Sequence, residues 1–294
     1  MPPSEPLLSV IVPARDEAGN LPRLLREIAH ALEGFDFEVI VVDDGSVDAT
    51  WEMLSARAAQ DRRLRPMRHP RSAGQSTSLW QAAARARGTW LATLDGDGQN
   101  DPGDIPRLLE RAQRGDVALV AGHRQARRDD LLKRVSSRVA NRVRSALLGD
   151  GTPDTGCGLK LVRRSAFLAL PYFDHMHRFL PALVQAQGGT CVSVPVAHRP
   201  RLAGKSHYGV NNRLWVGLVD LVGVMWLRRR SRLPAPLEEG GLALAGSPPL
   251  HQAATRAPES LMERFGDGSP GGRADDDQPD EEFLRRGVLH GKEA

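Results

Sequence analysis

The chain is 294 residues long, 40% hydrophobic and 26% charged, with two cysteines and a formal net charge of +4. That length supports one good core, two cysteines cannot build a disulfide framework, and no apolar run reaches the ~18 residues of a membrane span. The charge is unevenly shared: residues 231–294 carry 7 Lys+Arg against 12 Asp+Glu, leaving +9 on residues 1–230, a balance that suits anionic partners.

Met1-Pro2-Pro3-Ser4-Glu5-Pro6 lacks the charged and apolar regions of a secretory signal, and a reducing cytoplasm is the expected compartment. Leu7 to Val12 then reads as a short strand ending at Pro13. Asn20 is placed to cap a helix whose apolar face is Leu21, Leu24, Leu25, Ile28 and Leu32. Phe37 to Val42 is almost wholly apolar, as a parallel strand covered on both faces must be, and it ends at Asp43-Asp44-Gly45-Ser46. Asp48 or Thr50 opens the next helix, and a weaker strand lies near Leu64-Arg65-Pro66-Met67. An alanine-rich helix over 73–87, a strand over 90–94, a helix over 105–113 and a strand over 117–121 follow. This alternation predicts an α/β domain with a mostly parallel sheet. Trp51, Trp80 and Trp90 read as core residues.

Beyond residue 121 the pattern changes. Residues 129–148 read as a basic amphipathic helix, and Thr190 to Val196 as a strand. Leu214 to Leu227 is apolar apart from Asp220 and two glycines, is bracketed by Trp215 and Trp226, and runs into Arg228-Arg229-Arg230. Fourteen helical residues span ~21 Å, short of the ~30 Å hydrocarbon core, so an interfacial placement is expected. From Ser231 the chain is rich in Pro and Gly, with an Asp275-Asp276-Asp277 run, and reads as disordered. No internal repeat is present.

The chemistry concentrates in Leu91-Ala92-Thr93-Leu94-Asp95-Gly96-Asp97-Gly98-Gln99-Asn100-Asp101-Pro102. Two carboxylates at i and i+2 follow a buried strand, where open α/β sheets bind ligands. Hard cations such as magnesium or manganese want such oxygens and share them with a substrate phosphate. Asp43-Asp44 ends a second strand, and both clusters can face one crevice fit for a nucleotide diphosphate. No Gly-x-Gly-x-x-Gly follows the first strand, which disfavours a dinucleotide fold. Ala203-Gly204-Lys205-Ser206 is no phosphate loop, because Arg199 stands where its first glycine belongs. His175 and His177 lack a third ligand for a metal.

Ordered motifs add a family resemblance over about residues 7–230. Val10-Ile11-Val12-Pro13-Ala14-Arg15-Asp16-Glu17, Val41-Val42-Asp43-Asp44-Gly45-Ser46 and Leu94-Asp95-Gly96-Asp97-Gly98-Gln99 resemble successive signatures of family 2 glycosyltransferases. Gly122-His123-Arg124, Ser137-Arg138 with Asn141, Asp154-Thr155-Gly156-Cys157-Gly158-Leu159-Lys160 and His198-Arg199-Pro200-Arg201 leading to Gly204-Lys205-Ser206-His207-Tyr208 extend the match to the dolichol-phosphate mannose synthase-like branch. The branch often has Ser-Lys-Tyr where this chain has Ser206-His207-Tyr208.

The resemblance implies a GT-A nucleotide-sugar fold over 1–210, with a short apolar interfacial segment over 211–230 and a disordered tail over 231–294. It implies that Pro13, Ala14, Glu17, Asp43 and Asp44 form the nucleotide pocket with Asp95, and that Asp95, Asp97 and Gln99 hold Mg2+ or Mn2+ on the donor diphosphate. Arg124, Arg138, Arg201 and Lys205 would then meet phosphate. The implied enzyme is an inverting hexosyltransferase, peripheral at the cytoplasmic face of a membrane, that loads a sugar from a nucleotide-diphosphate sugar onto a polyprenyl (dolichol or undecaprenyl) phosphate. An anchoring protein partner is possible within this scheme, and nucleic acid is not an expected partner. An alternative within the fold is a saccharide or other hydroxyl acceptor, which needs one carboxylate as base. An alternative of another class is a non-enzymatic basic module that binds anionic membrane or nucleic acid.

Overall fold

The computed structural model describes residues 6–124, 144–200 and 210–230, side chains of 210–216 excepted. All of them fall in the first of the chain's two units, Met1–Arg256; the second, Ala257–Ala294, lies outside the described residues, as do the predicted tail and most of the predicted basic helix at 129–148.

Seven strands form one sheet in the order β3-β2-β1-β4-β6-β5-β7. They are β1 Leu8–Ala14, β2 Phe37–Asp44, β3 Leu64–His69, β4 Trp90–Thr93, β5 Leu119–Arg124, β6 Lys160–Arg163 and β7 Cys191–Val196. The helices are α1 Leu21–Ala31, α2 Thr50–Ala58, α3 Gln75–Arg85, α4 Ile105–Gln113, α5 Arg164–Leu168, α6 Leu180–Ala186 and α7 Val210–Arg230, with a further helical stretch at 144–148. β1, β2, β3 and β4 are mutually parallel, and β5 is parallel to β7. β6 runs antiparallel between β4 and β5.

Period-two alternation sorts the strand residues between two cores. Leu8, Val10 and Val12 pack on the side covered by Leu21, Leu24 and Ile28 of α1 and Ile105 and Leu108 of α4. Ile11, Ile40 and Leu91 face Leu79 and Ala83 of α3, Phe167 of α5 and Leu183 of α6. Burial on both faces is why β1 and β2 read as unbroken apolar runs.

Three details differ from the sequence reading. Asn20 occupies the cap position of α1 without a capping hydrogen bond; its side-chain N–H donates instead to Glu17 Oε2 at 2.5 Å. The alanine-rich helix is shorter than 73–87 at both ends, because Ala73 and Gly74 are bound in a turn and Ala86 is extended. α7 is 21 residues long and packs on one side: Val224 is buried, and Leu221, Met225 and Leu227 lie against the second core. Its other side exposes Leu218, Val219, Val222 and Trp226. No helix among the described residues is long and apolar enough to cross a membrane.

Candidate active site

β1 lies between β2 and β4, so the carboxyl ends of all three strands adjoin. Ala14 stands opposite Asp43 in register. β4 ends two residues before Asp95, and a Cβ built on Gly96 would sit 3.2 Å from the Pro13 carbonyl and 3.3 Å from Ala14 Cβ. The turn carrying Asp95 and Asp97 is therefore pressed against Pro13-Ala14, with Asp43 on the far side of that strand. This is the switch point of the sheet, where strand order departs in two directions.

Asp97 is buried, and its Oδ1 accepts the Gln99 N–H at 3.1 Å. Asp95 Oδ1 accepts from Gln75 Nε2 at 2.9 Å. Burial and then the neighbouring Asp97 charge push the Asp95 carboxyl above its usual range, against the pull of Lys160, Arg124 and Gln75. Because β6 is antiparallel, its leading residues arrive where β4 ends. A Cβ on Gly158 would lie 2.2 Å from Asp95 Oδ2 and 2.7 Å from Asn100 Oδ1, so only glycine lets these oxygens stand where they do. Asn100 Oδ1 is buried without a hydrogen bond among the described residues.

Two mutually repelling carboxylates, an amide side chain at Gln99 and an orphaned amide oxygen form a donor set of hard oxygens, which fits a divalent cation. No group of three His, Cys, Asp or Glu among the described residues is placed to hold a metal, so amide oxygens, water and substrate would have to complete such a shell.

On the β2 side, the loop at 15–18 is stapled to the loop at 46–50. Asp16 N–H donates to Ser46 Oγ (2.9 Å), Glu17 N–H to Thr50 Oγ1 (2.9 Å) and Ala18 N–H to Asp48 Oδ2 (3.2 Å). Asp43 is fully buried; Oδ1 accepts the Ser46 N–H at 2.9 Å and Oδ2 faces Arg68 Nε at 3.2 Å. Asp44, expected in the nucleotide pocket, spends both oxygens inside the protein. It pairs with His69 Nδ1 (2.7 Å) and accepts from the Ser72 hydroxyl (2.7 Å) and the Ala73 (2.7 Å) and Gly74 (3.0 Å) N–H groups. Burial opposes its charge, but His69 and these donors outweigh burial and hold its carboxyl far below the usual range. The clamped turn leads straight into Gln75, the residue that donates to Asp95.

Arg124, expected at phosphate, forms a bidentate pair with Asp154 through Nε (2.7 Å) and Nη2 (2.8 Å), and is itself mostly buried. Two of its three guanidinium nitrogens are therefore committed within the protein. Arg138, Arg201 and Lys205 lie outside the described residues. The segment leading to Arg201 is anchored beside the acidic turn: Arg199 N–H donates to the Gln99 carbonyl at 2.9 Å, and its guanidinium bridges Glu27 and Asp101.

Gln75 stands outside every motif quoted above, and Asn100, Asp154 and Lys160 stand within quoted motifs without a role assigned to them; packing around the sheet gives each its place. Behind Asp95, Lys160, Thr155, His177 and Gln75 line a cavity of about 90 Å3.

Residues 9–170 match the family described as Glycosyl transferase family 2. The chain belongs to that family. It is 34% identical over 235 residues to a dodecaprenyl-phosphate galacturonate synthase of Rhizobium johnstonii, covering 77% of this chain and 69% of that one. It is 36% identical over 243 residues to an undecaprenyl-phosphate 4-deoxy-4-formamido-L-arabinose transferase of Pseudomonas paraeruginosa, covering 82% and 70%. Glucosyl-3-phosphoglycerate synthase from Mycobacterium tuberculosis, solved with Mn2+, UDP and glucosyl-3-phosphoglycerate, superposes with a TM-score of 0.58 at 19% identity, covering 76% of this chain and 80% of that one. That likeness shows that this family 2 chain shares the α/β fold of a nucleotide-sugar enzyme.

Proposed function

We propose that this family 2 glycosyltransferase moves a sugar from a nucleotide-diphosphate sugar to a polyprenyl phosphate. The observation that carries the reading is that Asp43, Pro13-Ala14 and the Asp95/Asp97 turn lie side by side at the carboxyl ends of β2, β1 and β4. The names of the relatives that match over most of the chain supply the acceptor class.

In this reading Pro13, Ala14, Glu17 and Asp43 bound the nucleoside end. Asp95, Asp97 and Gln99 would hold a divalent cation, which supplies charge compensation for the departing diphosphate. A phosphate oxygen of the acceptor is already anionic near neutral pH, so no strong general base is required. It attacks the anomeric carbon, the bond to the diphosphate oxygen breaks, and the nucleoside diphosphate leaves with that electron pair. Direct displacement inverts the anomeric centre. The protein's work is then to hold both partners in line and to stabilise charge with fixed groups. Asp44 serves as a positioning residue, because it holds the turn that aims Gln75 at Asp95. Arg124 would meet the acceptor phosphate through its remaining nitrogen or by exchanging Asp154, joined by Arg138, Arg201 and Lys205.

The exposed stripe Leu218, Val219, Val222 and Trp226, followed by Arg228, Arg229 and Arg230, supports contact with an anionic membrane surface, where such an acceptor resides. We assign 1–210 to the catalytic domain, with 211–230 as a membrane-facing element docked on it. The test is incubation of the purified protein with undecaprenyl phosphate in vesicles, Mg2+ or Mn2+, and a panel of labelled nucleotide sugars. Label should enter an organic-extractable, acid-labile fraction. Label found only in aqueous products would favour a saccharide acceptor, and no transfer with any donor would overturn the reading.

A further inference from the structure

The cavity behind Asp95 is closed by β6 on one side and by the segment leading into α6 on the other. Its volume of about 90 Å3 has room for several waters, the scale of one sugar ring rather than of a whole nucleotide sugar. The walls mix apolar side chains (Leu79, Leu94 and Leu180) with polar ones. Lys160 is 4% exposed, burial pushes its amine below the usual lysine range, and Nζ donates to the Cys157 carbonyl. A lysine amine keeps more hydrogen-bonding positions than that one bond fills, and buried polar groups are almost always satisfied, so this one calls for further partners. Gln75 and Thr155 add polar side chains. His177 Nδ1 lies 2.7 Å from Ser76 Oγ, and burial pushes the imidazole down to about 3, so it is neutral near pH 7 and offers a hydrogen bond rather than a charge.

We propose that this cavity receives the sugar ring of the donor, and that Lys160, with Thr155 and His177, is the group that reads the ring's hydroxyl oxygens. The inference rests on the proposed nucleotide-sugar reading and deepens it: the Asp95/Asp97 turn would face the diphosphate, and β6 the sugar. Lys160 has its place because it stands opposite Thr93 on β4, two residues short of Asp95.

The test separates sugar from nucleotide. Binding of UDP, UDP-glucose, GDP and GDP-mannose is measured calorimetrically with Mn2+ on wild type, Lys160→Met and Thr155→Val. Loss of a hydrogen bond that leaves a buried sugar hydroxyl unsatisfied should weaken the sugar nucleotide by about 10- to 100-fold in Lys160→Met, while the matching diphosphate stays within about twofold. Thr155→Val, which keeps side-chain volume, should show a smaller loss with the same selectivity, and it carries the test if Lys160→Met fails to unfold cooperatively. Parallel weakening of both ligands would place Lys160 in service of the diphosphate end and overturn the proposal, as would unchanged binding of both. If wild type binds none of the four, the nucleotide-sugar reading itself falls and this inference with it.

Discussion

Gly158→Ala isolates the contact that sets the position of Asp95. Glycine here has an ordinary negative-φ backbone, so alanine is tolerated by the chain itself. The added Cβ would fall 2.2 Å from Asp95 Oδ2, whereas real Cβ atoms stay beyond 3.0 Å of such neighbours. Asp95 must therefore retreat by about 0.8 Å, with Asn100 Oδ1, at 2.7 Å, yielding less. Both are ends of side chains, so the fold should survive at an overpacking cost of ~1–3 kcal/mol, a fall in Tm of roughly 2–4 °C for each kcal/mol. Activity is far more sensitive, since displacement of a positioned group by about 1 Å costs on the order of 100-fold. The assay is kcat/KM for transfer to polyprenyl phosphate, measured beside a Mn2+ titration and thermal unfolding. The expected result is a folded protein with about a hundredfold loss and a higher Mn2+ requirement. A folded variant with wild-type kcat/KM and Mn2+ response would refute the reasoning, because Asp95 would then not depend on that contact.

Asp97→Asn should abolish metal-dependent transfer while leaving the unfolding transition in place; near-normal turnover would remove Asp97 from the cation site. Glu38 pairs with Arg65 and Arg87 at the opposite end of the sheet, and although burial opposes its charge, the Arg87 N–H, Arg65 and Ser9 hold its carboxyl below the usual range. A depressed carboxyl stabilises the fold above its unfolded pKa and loses that contribution as pH falls through the folded value. Glu38→Gln should thus cost ~1–3 kcal/mol at pH 7, discounted because both arginines are partly exposed, and the gap from wild type should close in acid; a gap that is constant with pH in chemical denaturation would contradict this. Asp44 raises the His69 pKa, so their pair stabilises the fold between the carboxylate range and the folded value of His69, and that contribution fades as pH rises through the latter. Asp44→Asn should lower the His69 pKa, read by NMR titration, because burial then acts without the Asp44 charge to oppose it, and should slow transfer through the loosened Gln75; an unshifted His69 would exclude the pair.

The fold was legible wherever one physical rule sufficed. Unbroken apolar runs marked β1 and β2 as doubly covered strands, and the 3.6-residue spacing of Leu21, Leu24, Leu25 and Ile28 marked α1. β6 escaped because its four residues begin and end in Lys160 and Arg163, and nothing local tells an inserted antiparallel strand from a loop. Within the site, the Asp95/Asp97 turn was visible because adjacent carboxylates after a strand are locally costly. Asp44 reads as ligand-facing for the same reason, as a carboxylate at a strand end, and only the structure shows four internal partners meeting it. Arg124 shows the converse, since its partner Asp154 is 30 residues away and reaches it only through the pairing of β5 with β6.

Gly158, Lys160 and Asp154 share one trait that bears on mechanism: each is brought to the acidic turn by the second half of the sheet. Gly158 sets how closely Asp95 can be approached, Lys160 lies behind it, and Asp154 holds Arg124. The half of the sheet from β3 to β4 needs only parallel strands and loops, which local sequence encodes. β6 is antiparallel, so its leading residue Lys160 lies beside the end of β4, two residues short of Asp95. Under the proposed transfer, the acidic oxygens would face the diphosphate and Lys160 the other side of the same turn, a division that favours an oxocarbenium-like transition state between two anionic groups.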